Sequence, residues 1–331
     1  MVKGFVFGKF HPFHKGHEAM IRFALQHCDA LTVLVCCSDR EPIACDTQAN
    51  WIRETFAGEP DVNVVTYHYS EADLPNTSES SVEVSRIWSE IFLELLPDQK
   101  LLITSEPYGE FVAEFMGIRH VGFDLNRKLF PVSATAIRSD LLANWEYLPD
   151  SVKPYFCIKV TILGTESTGK TTLATALAKH YGCGLVLEAA RGIIESSKSF
   201  DMDLLHHVAI AHAAAIEQAS RGHHPLIMLD TDLITTKSYA RLMLHQELVV
   251  APEIESANHC RGYLYLCHDV PHVQDGTRLE REECALLDRA QRALLTELQI
   301  DFGEISGNWE NRLEQAIKAI DTLLATPNQP R

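Results

Sequence analysis

The segment Gly164-Thr165-Glu166-Ser167-Thr168-Gly169-Lys170-Thr171 constrains this chain more than any other. It has the spacing G-x-x-x-x-G-K-[ST], follows an apolar run at 156–163 and precedes a helical pattern at 170–180. Such a loop turns backbone N–H groups around an anion, and the helix that follows adds its positive N-terminus. A strand, a glycine-rich loop and a helix in that order belong to a parallel α/β sheet. The expected nucleotide-facing residues are Gly164, Ser167, Thr168, Gly169, Lys170, Thr171 and Thr172, with Lys170 bridging the outer phosphates of ATP and Thr171 on Mg²⁺.

Further residues extend this expectation. The run Leu226-Ile227-Met228-Leu229-Asp230 reads as a strand ending in a carboxylate, where a metal-side acid belongs. Glu188, three residues before Arg191, reads as a group that orients an acceptor hydroxyl or as a plain ion pair with Arg191. Asp232 reads as a helix cap, and stands next in line for the acceptor role. Asp275-Gly276-Thr277-Arg278 reads as a loop that offers Arg278 to the phosphates. Later strands are expected at 185–187, 226–229, 263–267 and 301–305, with helices at 204–221, 233–244, 282–298 and 309–324.

A second phosphate signal lies near the start. After an apolar run at 2–7 comes Gly8-Lys9-Phe10-His11-Pro12-Phe13-His14-Lys15-Gly16-His17, at the head of a helical pattern at 17–27. His14 and His17 are three apart, so both rings can face one side beside the free N–H groups of a helix start. Val132-Ser133-Ala134-Thr135-Ala136-Ile137-Arg138 places hydroxyls at another helix start, at 135–145, with an arginine one turn in. Gly8, Phe10, His14, Lys15, His17, Ser133, Thr135 and Arg138 are therefore expected to bind ATP, with the histidines, Lys15 and Arg138 as cations and donors. Between these ends the pattern gives strands at 30–37, 62–67, 101–104 and 120–123 and helices at 49–56, 82–96 and 109–116. A linker is expected at 147–154, dividing a domain at 1–147 from one at 155–326.

Composition narrows the class. At 331 residues and 46% hydrophobic, the chain can bury two cores. Its net charge of −16 is shared by both halves, which argues against a nucleic-acid-binding surface. Nine cysteines without a C-x-x-C pair argue against a disulfide framework and fit a reducing cytoplasm. No apolar run is long enough to suggest a membrane span. His259-Cys260 and Cys267-His268 bracket an apolar strand that would hold them about 20 Å apart, so they are not read as a metal site. His206-His207 and His223-His224 read as solvated pairs at the two ends of one helix. Self-association into a homo-oligomer stays open.

The two motif sets together resemble a known family. G-x-F-x-P-x-H-x-G-H followed by S-x-T-x-I-R looks like the nicotinamide mononucleotide adenylyltransferases. Ser105-Glu106-Pro107-Tyr108-Gly109, Asp124 and Arg127 are similar to the adenylyltransferase domain of NadR proteins. The P-loop, the E-x-x-R at Glu188, the D-T-D at Asp230 and the D-G-T-R ending at Arg278 resemble the NadR ribosylnicotinamide kinase domain. The resemblance implies two doubly wound α/β domains and two reactions. One phosphorylates nicotinamide riboside with ATP, and the other joins nicotinamide mononucleotide (NMN) to ATP to give NAD and pyrophosphate. It also implies that Trp88 or Trp51 stacks on nicotinamide, and that Glu188 and Arg191 meet the riboside. One position departs: Gln48 stands where NadR-like chains carry an arginine, so no phosphate contact is carried over there. With the first strand at residue 2, the helix-turn-helix repressor domain of many NadR proteins is expected to be missing. The rival expectations are a coenzyme A synthase-like fusion and an NAD-sensing module without turnover.

Overall fold

The computed structural model describes residues 1–74, 81–194, 200–271 and 279–326. They form two units, Met1–Lys153 and Pro154–Gln329. The first opens with β1 (Lys3–Gly8), α1 (Lys15–Leu25), β2 (Ala30–Ser38), α2 (Cys45–Thr55) and β3 (Val62–Tyr69). It continues through α3 (Val82–Leu95), β4 (Leu101–Thr104), α4 (Gly109–Met116), β5 (Arg119–Gly122) and α5 (Ala134–Ser139). All strand pairs are parallel, in the order β3-β2-β1-β4-β5. The central strands are near-continuous apolar runs because helices cover both faces; Phe5, Val6, Leu31 and Val33 to Val35 are all buried. Chain direction across the sheet reverses between β1 and β4, and ligands of open α/β sheets bind beyond strand ends at such a point.

The short helix α6 (Lys153–Phe156) leads to β6 (Ile158–Leu163), α7 (Lys170–Tyr181), β7 (Gly184–Val186), α8 (Met202–Ser220) and β8 (Leu226–Asp230). There follow α9 (Leu233–Tyr239), α10 (Pro252–Asn258), β9 (Gly262–Leu266), α11 (Arg281–Glu297), β10 (Gly303–Ile305) and α12 (Trp309–Ala325). This sheet is also parallel, ordered β10-β9-β6-β8-β7, so both units are doubly wound as expected. Its core joins Ile158, Val160 and Ile162 of β6 to Leu173 and Leu177 of α7 and to Ile320 of α12. Among the described residues no helix is long and apolar enough to cross a membrane.

Four local expectations are corrected. The helix expected at 135–145 is only α5, which closes at Ser139; Asp140 then turns the chain by accepting from the Ala143 N–H. The linker stretch at 147–154 holds the division between the units, at Lys153–Pro154, but is packed rather than open: Leu148 and Val152 are fully buried and Ser151 shares a hydrogen bond with Thr55 at 2.8 Å. Cys37 and Cys45 form a disulfide from the end of β2 to the start of α2, where no bridge was expected. His206 is not solvated: its two ring nitrogens meet the carbonyls of Met202 and Val249 at 2.9 and 3.0 Å.

Candidate functional site

The two motifs of the first unit come together at the carboxyl ends of β1 and β4. His14 is the N-cap of α1, and its Nδ1 accepts from the Gly16 and His17 N–H groups at 3.1 and 3.3 Å. A Cβ on Gly16 would sit 3.0 Å from the His14 ring, so the cap needs glycine there. The His14 and His17 rings stack with centroids 3.6 Å apart, and His17 meets the edge of Phe10 at 5.0 Å. The His17 Nδ1 is shut off from solvent without a hydrogen-bond partner. Burial, helped by the Arg127 charge, lowers His14 to about 4. Burial, then His14 and Arg127, hold His17 well below the ordinary histidine range. Both imidazoles are therefore neutral near pH 7, which corrects their expected role as cations: they act as hydrogen-bonding groups.

Ser133 caps α5 by accepting from the Ala136 N–H at 3.1 Å, while Thr135 is exposed. Arg138 donates to the His11 carbonyl and, at 3.2 Å, to the Thr135 hydroxyl, which brings the second motif against the first. Arg127 pairs with Glu106 at 2.7 Å, and Asp124 accepts from the N–H groups of Lys128, Leu129 and Phe130. Lys15 opens α1 half-buried. The Phe10 side chain is buried as a prop under His17, so only its backbone is left to face a nucleotide. Trp51 is buried in α2, away from the residues that line the cavity at Trp88. Trp88 lines a cavity of about 100 Å³ with Gly8, Tyr69 and Tyr108. Gln48 is fully buried, and its Nε2 donates to the Ile43 carbonyl at 3.1 Å.

In the second unit the glycine-rich loop carries positive φ at Gly164, Ser167 and Gly169 (+134°, +62° and +90°). Alternation of this kind points successive N–H groups into one concavity. Lys170 Nζ donates back to the Thr165 carbonyl at 2.8 Å. The Thr171 hydroxyl donates to Asp230 Oδ2 at 2.6 Å and accepts from Arg191 at 2.6 Å; Arg191 in turn pairs with Glu188 at 3.1 Å. The expected residues Glu188, Arg191, Thr171 and Asp230 thus form one connected chain. Asp230 is fully buried, with Oδ1 unpartnered. A cavity of about 700 Å³ opens here, lined by Gly164, Ser167, Gly169, Lys170, Thr171, Thr172, Glu188 and Arg191 among others. That volume is of the size that encloses a small-molecule ligand.

Asp232 is removed from the acceptor role. It lines no part of the cavity, is 1% exposed, and accepts from the Ile234 N–H at 2.9 Å as the cap of α9. Arg278 lies outside the described residues. Trp309, Arg312 and Glu166 are among the residues around this cavity that sequence reasoning did not single out. Trp309 lies against Gly169, where an added Cβ would be 2.1 Å from its ring. Arg312, fully buried, donates to the carbonyls of Thr168, Cys267 and Gly307 and pairs with Asp269. Glu166 accepts from the Tyr239 hydroxyl and the Leu279 N–H at 2.7 and 2.6 Å. Of these three, Glu166 lies inside the motif; Trp309 and Arg312 sit about 140 residues away.

Fold and sites together define a protein of two doubly wound α/β units, the second a P-loop unit. A family model described as an AAA domain matches residues 159–312. Two curated relatives, the trifunctional NAD biosynthesis/regulator protein NadR of Salmonella typhimurium (strain LT2) and of Escherichia coli (strain K12), are each 26% identical. Each match covers 83% of this chain and 71% of the relative. A crystal structure of NadR protein in complex with NAD and AMP-PNP aligns over 99% of this chain and 97% of its own, with a TM-score of 0.72 at 20% identity. A NadR structure in complex with NR aligns over the same shares, with a TM-score of 0.73 at 21% identity. The likeness to NadR proteins thus extends from the motifs to the fold and to most of the chain.

Proposed function

We propose that the chain is a bifunctional NAD-forming enzyme: the second unit phosphorylates nicotinamide riboside with ATP, and the first adenylylates NMN to NAD. The observation that carries this reading is that each unit gathers its own phosphate-recognition groups. In one, the His14 and His17 rings stack at the start of α1 and Arg138 reaches the His11 carbonyl of the loop before it; in the other, Thr171 bonds to Asp230 beside Lys170. The likeness to NadR supports the choice of substrates.

In the second unit the loop N–H groups and Lys170 hold the outer phosphates of ATP. Glu188 takes the hydrogen bond of the riboside 5′-hydroxyl, whose oxygen attacks the γ-phosphorus; ADP leaves and the hydroxyl proton passes to the carboxylate side. The residues fit Mg²⁺: the Thr171 hydroxyl and the Asp230 carboxylate are hard oxygen donors, and Asp230 Oδ1 is buried and unpartnered. A Mg²⁺ ion held by Thr171 and Asp230 would supply charge neutralisation for the phosphates. In the first unit an NMN phosphate oxygen bonds to the α-phosphorus of ATP as the bridging oxygen to the β-phosphorus departs with pyrophosphate. The attacking group is already an anion, so no general base is needed. Arg138 and the helix start of α1 stabilise the departing charge, and the neutral imidazoles donate to it. Trp88 stacks on nicotinamide from its small cavity.

The test offers the purified chain nicotinamide riboside with ATP and Mg²⁺, and separately NMN with ATP, and separates products by chromatography. NMN and NAD appear in the first, NAD and pyrophosphate in the second. Absence of product in either arm rejects the corresponding half of the proposal.

A further inference from the structure

We propose that His212 reads a ribose hydroxyl of the nucleoside acceptor, making it a specificity-determining residue of the second unit; this rests on the riboside kinase reading above. His212 lies on α8, is 3% exposed and lines the 700 Å³ cavity, and its Nε2 has no hydrogen-bond partner. A buried ring nitrogen left unpaired is costly, so such an atom facing a ligand cavity is one for which the ligand supplies the partner.

The face of α8 sets which part of the ligand that is. Leu205, Val208 and His212 are spaced three and four residues apart, and all three line the cavity. At 1.5 Å per residue the side chains at the ends of this row stand about 10 Å apart, close to the length of a nucleoside. The two ends differ in chemistry. Leu205 belongs to an apolar cluster with Phe200 and Ile194, which also line the cavity. His212 lies within the field of the Glu188 carboxylate, which pairs with Arg191, itself bonded to Thr171 of the phosphate loop. A riboside with its 5′-hydroxyl at Glu188 therefore places its ring hydroxyls at His212 and its base over Leu205 and Phe200. Burial lowers His212 to about 4. At neutral pH the imidazole thus offers one donor and one acceptor, which match a hydroxyl, and no charge to repel a pyridinium ring.

The test compares nicotinamide riboside with its 2′-deoxy and 3′-deoxy analogues on the full chain, in wild type, His212→Leu and His212→Gln. Wild type is expected to use one deoxy analogue at least about tenfold less efficiently in kcat/KM. His212→Leu raises the riboside KM about tenfold, leaves the KM for ATP unchanged and loses that discrimination, and His212→Gln restores part of it. Should His212→Leu not fold, His212→Phe replaces it. Retention of full discrimination in the variant overturns the inference. So does a loss confined to the choice between nicotinamide and nicotinic acid ribosides, which would put His212 at the base. Wild type that phosphorylates no riboside rejects the kinase reading and this inference together. Wild type that phosphorylates ribosides without regard to their ring hydroxyls rejects this inference alone.

Discussion

His14 accepts two backbone hydrogen bonds through Nδ1, so its remaining proton sits on Nε2 and points away from the helix start. A ring in this state donates to an anion without carrying charge. The same burial has a thermodynamic consequence. Below pH 6.5 the unfolded chain binds a proton on this residue that the folded chain refuses down to about 4. Its contribution to stability is complete above 6.5 and shrinks as the pH falls through that window, by up to about 3 kcal/mol. His14→Asn keeps a capping oxygen and removes the titration, so urea midpoints measured at pH 7 and 4.5 should differ less in the variant than in wild type. For catalysis, His17→Ala should cost adenylyl transfer about 2.7–4 kcal/mol, read as the fall in kcat/KM for NMN, with riboside phosphorylation unchanged. The pairing of His14 with His17 was legible from their spacing. Their neutrality was not, because it depends on burial in the folded unit and on Arg127, far along the chain.

At the scale of elements, the strands and long helices were legible because apolar runs and amphipathic periods are local. The helix α10 was missed: its short sequence Pro-Glu-Ile-Glu-Ser-Ala-Asn has little apolar period, and tertiary contacts fix it. Lys159 on β6 donates to the Ala257 carbonyl near its C-terminus at 2.6 Å, and Asn258 accepts from the Leu233 N–H at 3.1 Å. That bond, with the Asp232 cap, starts α9. Burial raises Asp232 to about 7, against an ordinary value of 3.8. A raised carboxyl contributes stability that is full below 3.8 and is lost as pH rises through about 7. Asp232→Asn keeps a capping oxygen without the buried charge and should be more stable than wild type at pH 8.5, by roughly 2–4 kcal/mol in urea denaturation. Asp232→Ala should instead lose about 1 kcal/mol at pH 5, where the wild-type carboxyl is neutral. The start of α12 gives a third expectation. Arg312→Leu strips three carbonyls and Asp269 of their donor and should cost the second unit about 3 kcal/mol in the same measurement.

Across the whole molecule, the two-unit organisation was legible because the strand–loop–helix pattern with a phosphate signal occurs twice. The division at Lys153–Pro154 falls inside the expected 147–154 stretch, but the packing of that stretch was not legible. Pro149 and Pro154 mark a break in the pattern, yet Leu148 and Val152 on either side of Pro149 pack with the first unit, and only three-dimensional neighbours reveal that. Each candidate site is built from side chains of its own unit: the His14, His17 and Arg138 group within Met1–Lys153, and Lys170, Thr171, Glu188 and Asp230 within Pro154–Gln329. Damage to one set should therefore leave the other reaction running. Lys170→Ala removes the ammonium that meets the outer phosphates, so it should abolish riboside phosphorylation and still make NAD from NMN. His17→Ala should do the reverse and accumulate NMN. In the proposed reaction pair NMN is the product of one unit and the substrate of the other, so an equimolar mixture of the two variants should turn nicotinamide riboside into NAD, although neither does so alone. Sequential use of a released intermediate adds a lag in NAD, which shortens as the His17→Ala variant is raised in excess. If each variant keeps its remaining half-reaction but the mixture makes no NAD, NMN does not leave the chain that forms it, and independent sites joined by a free intermediate are ruled out.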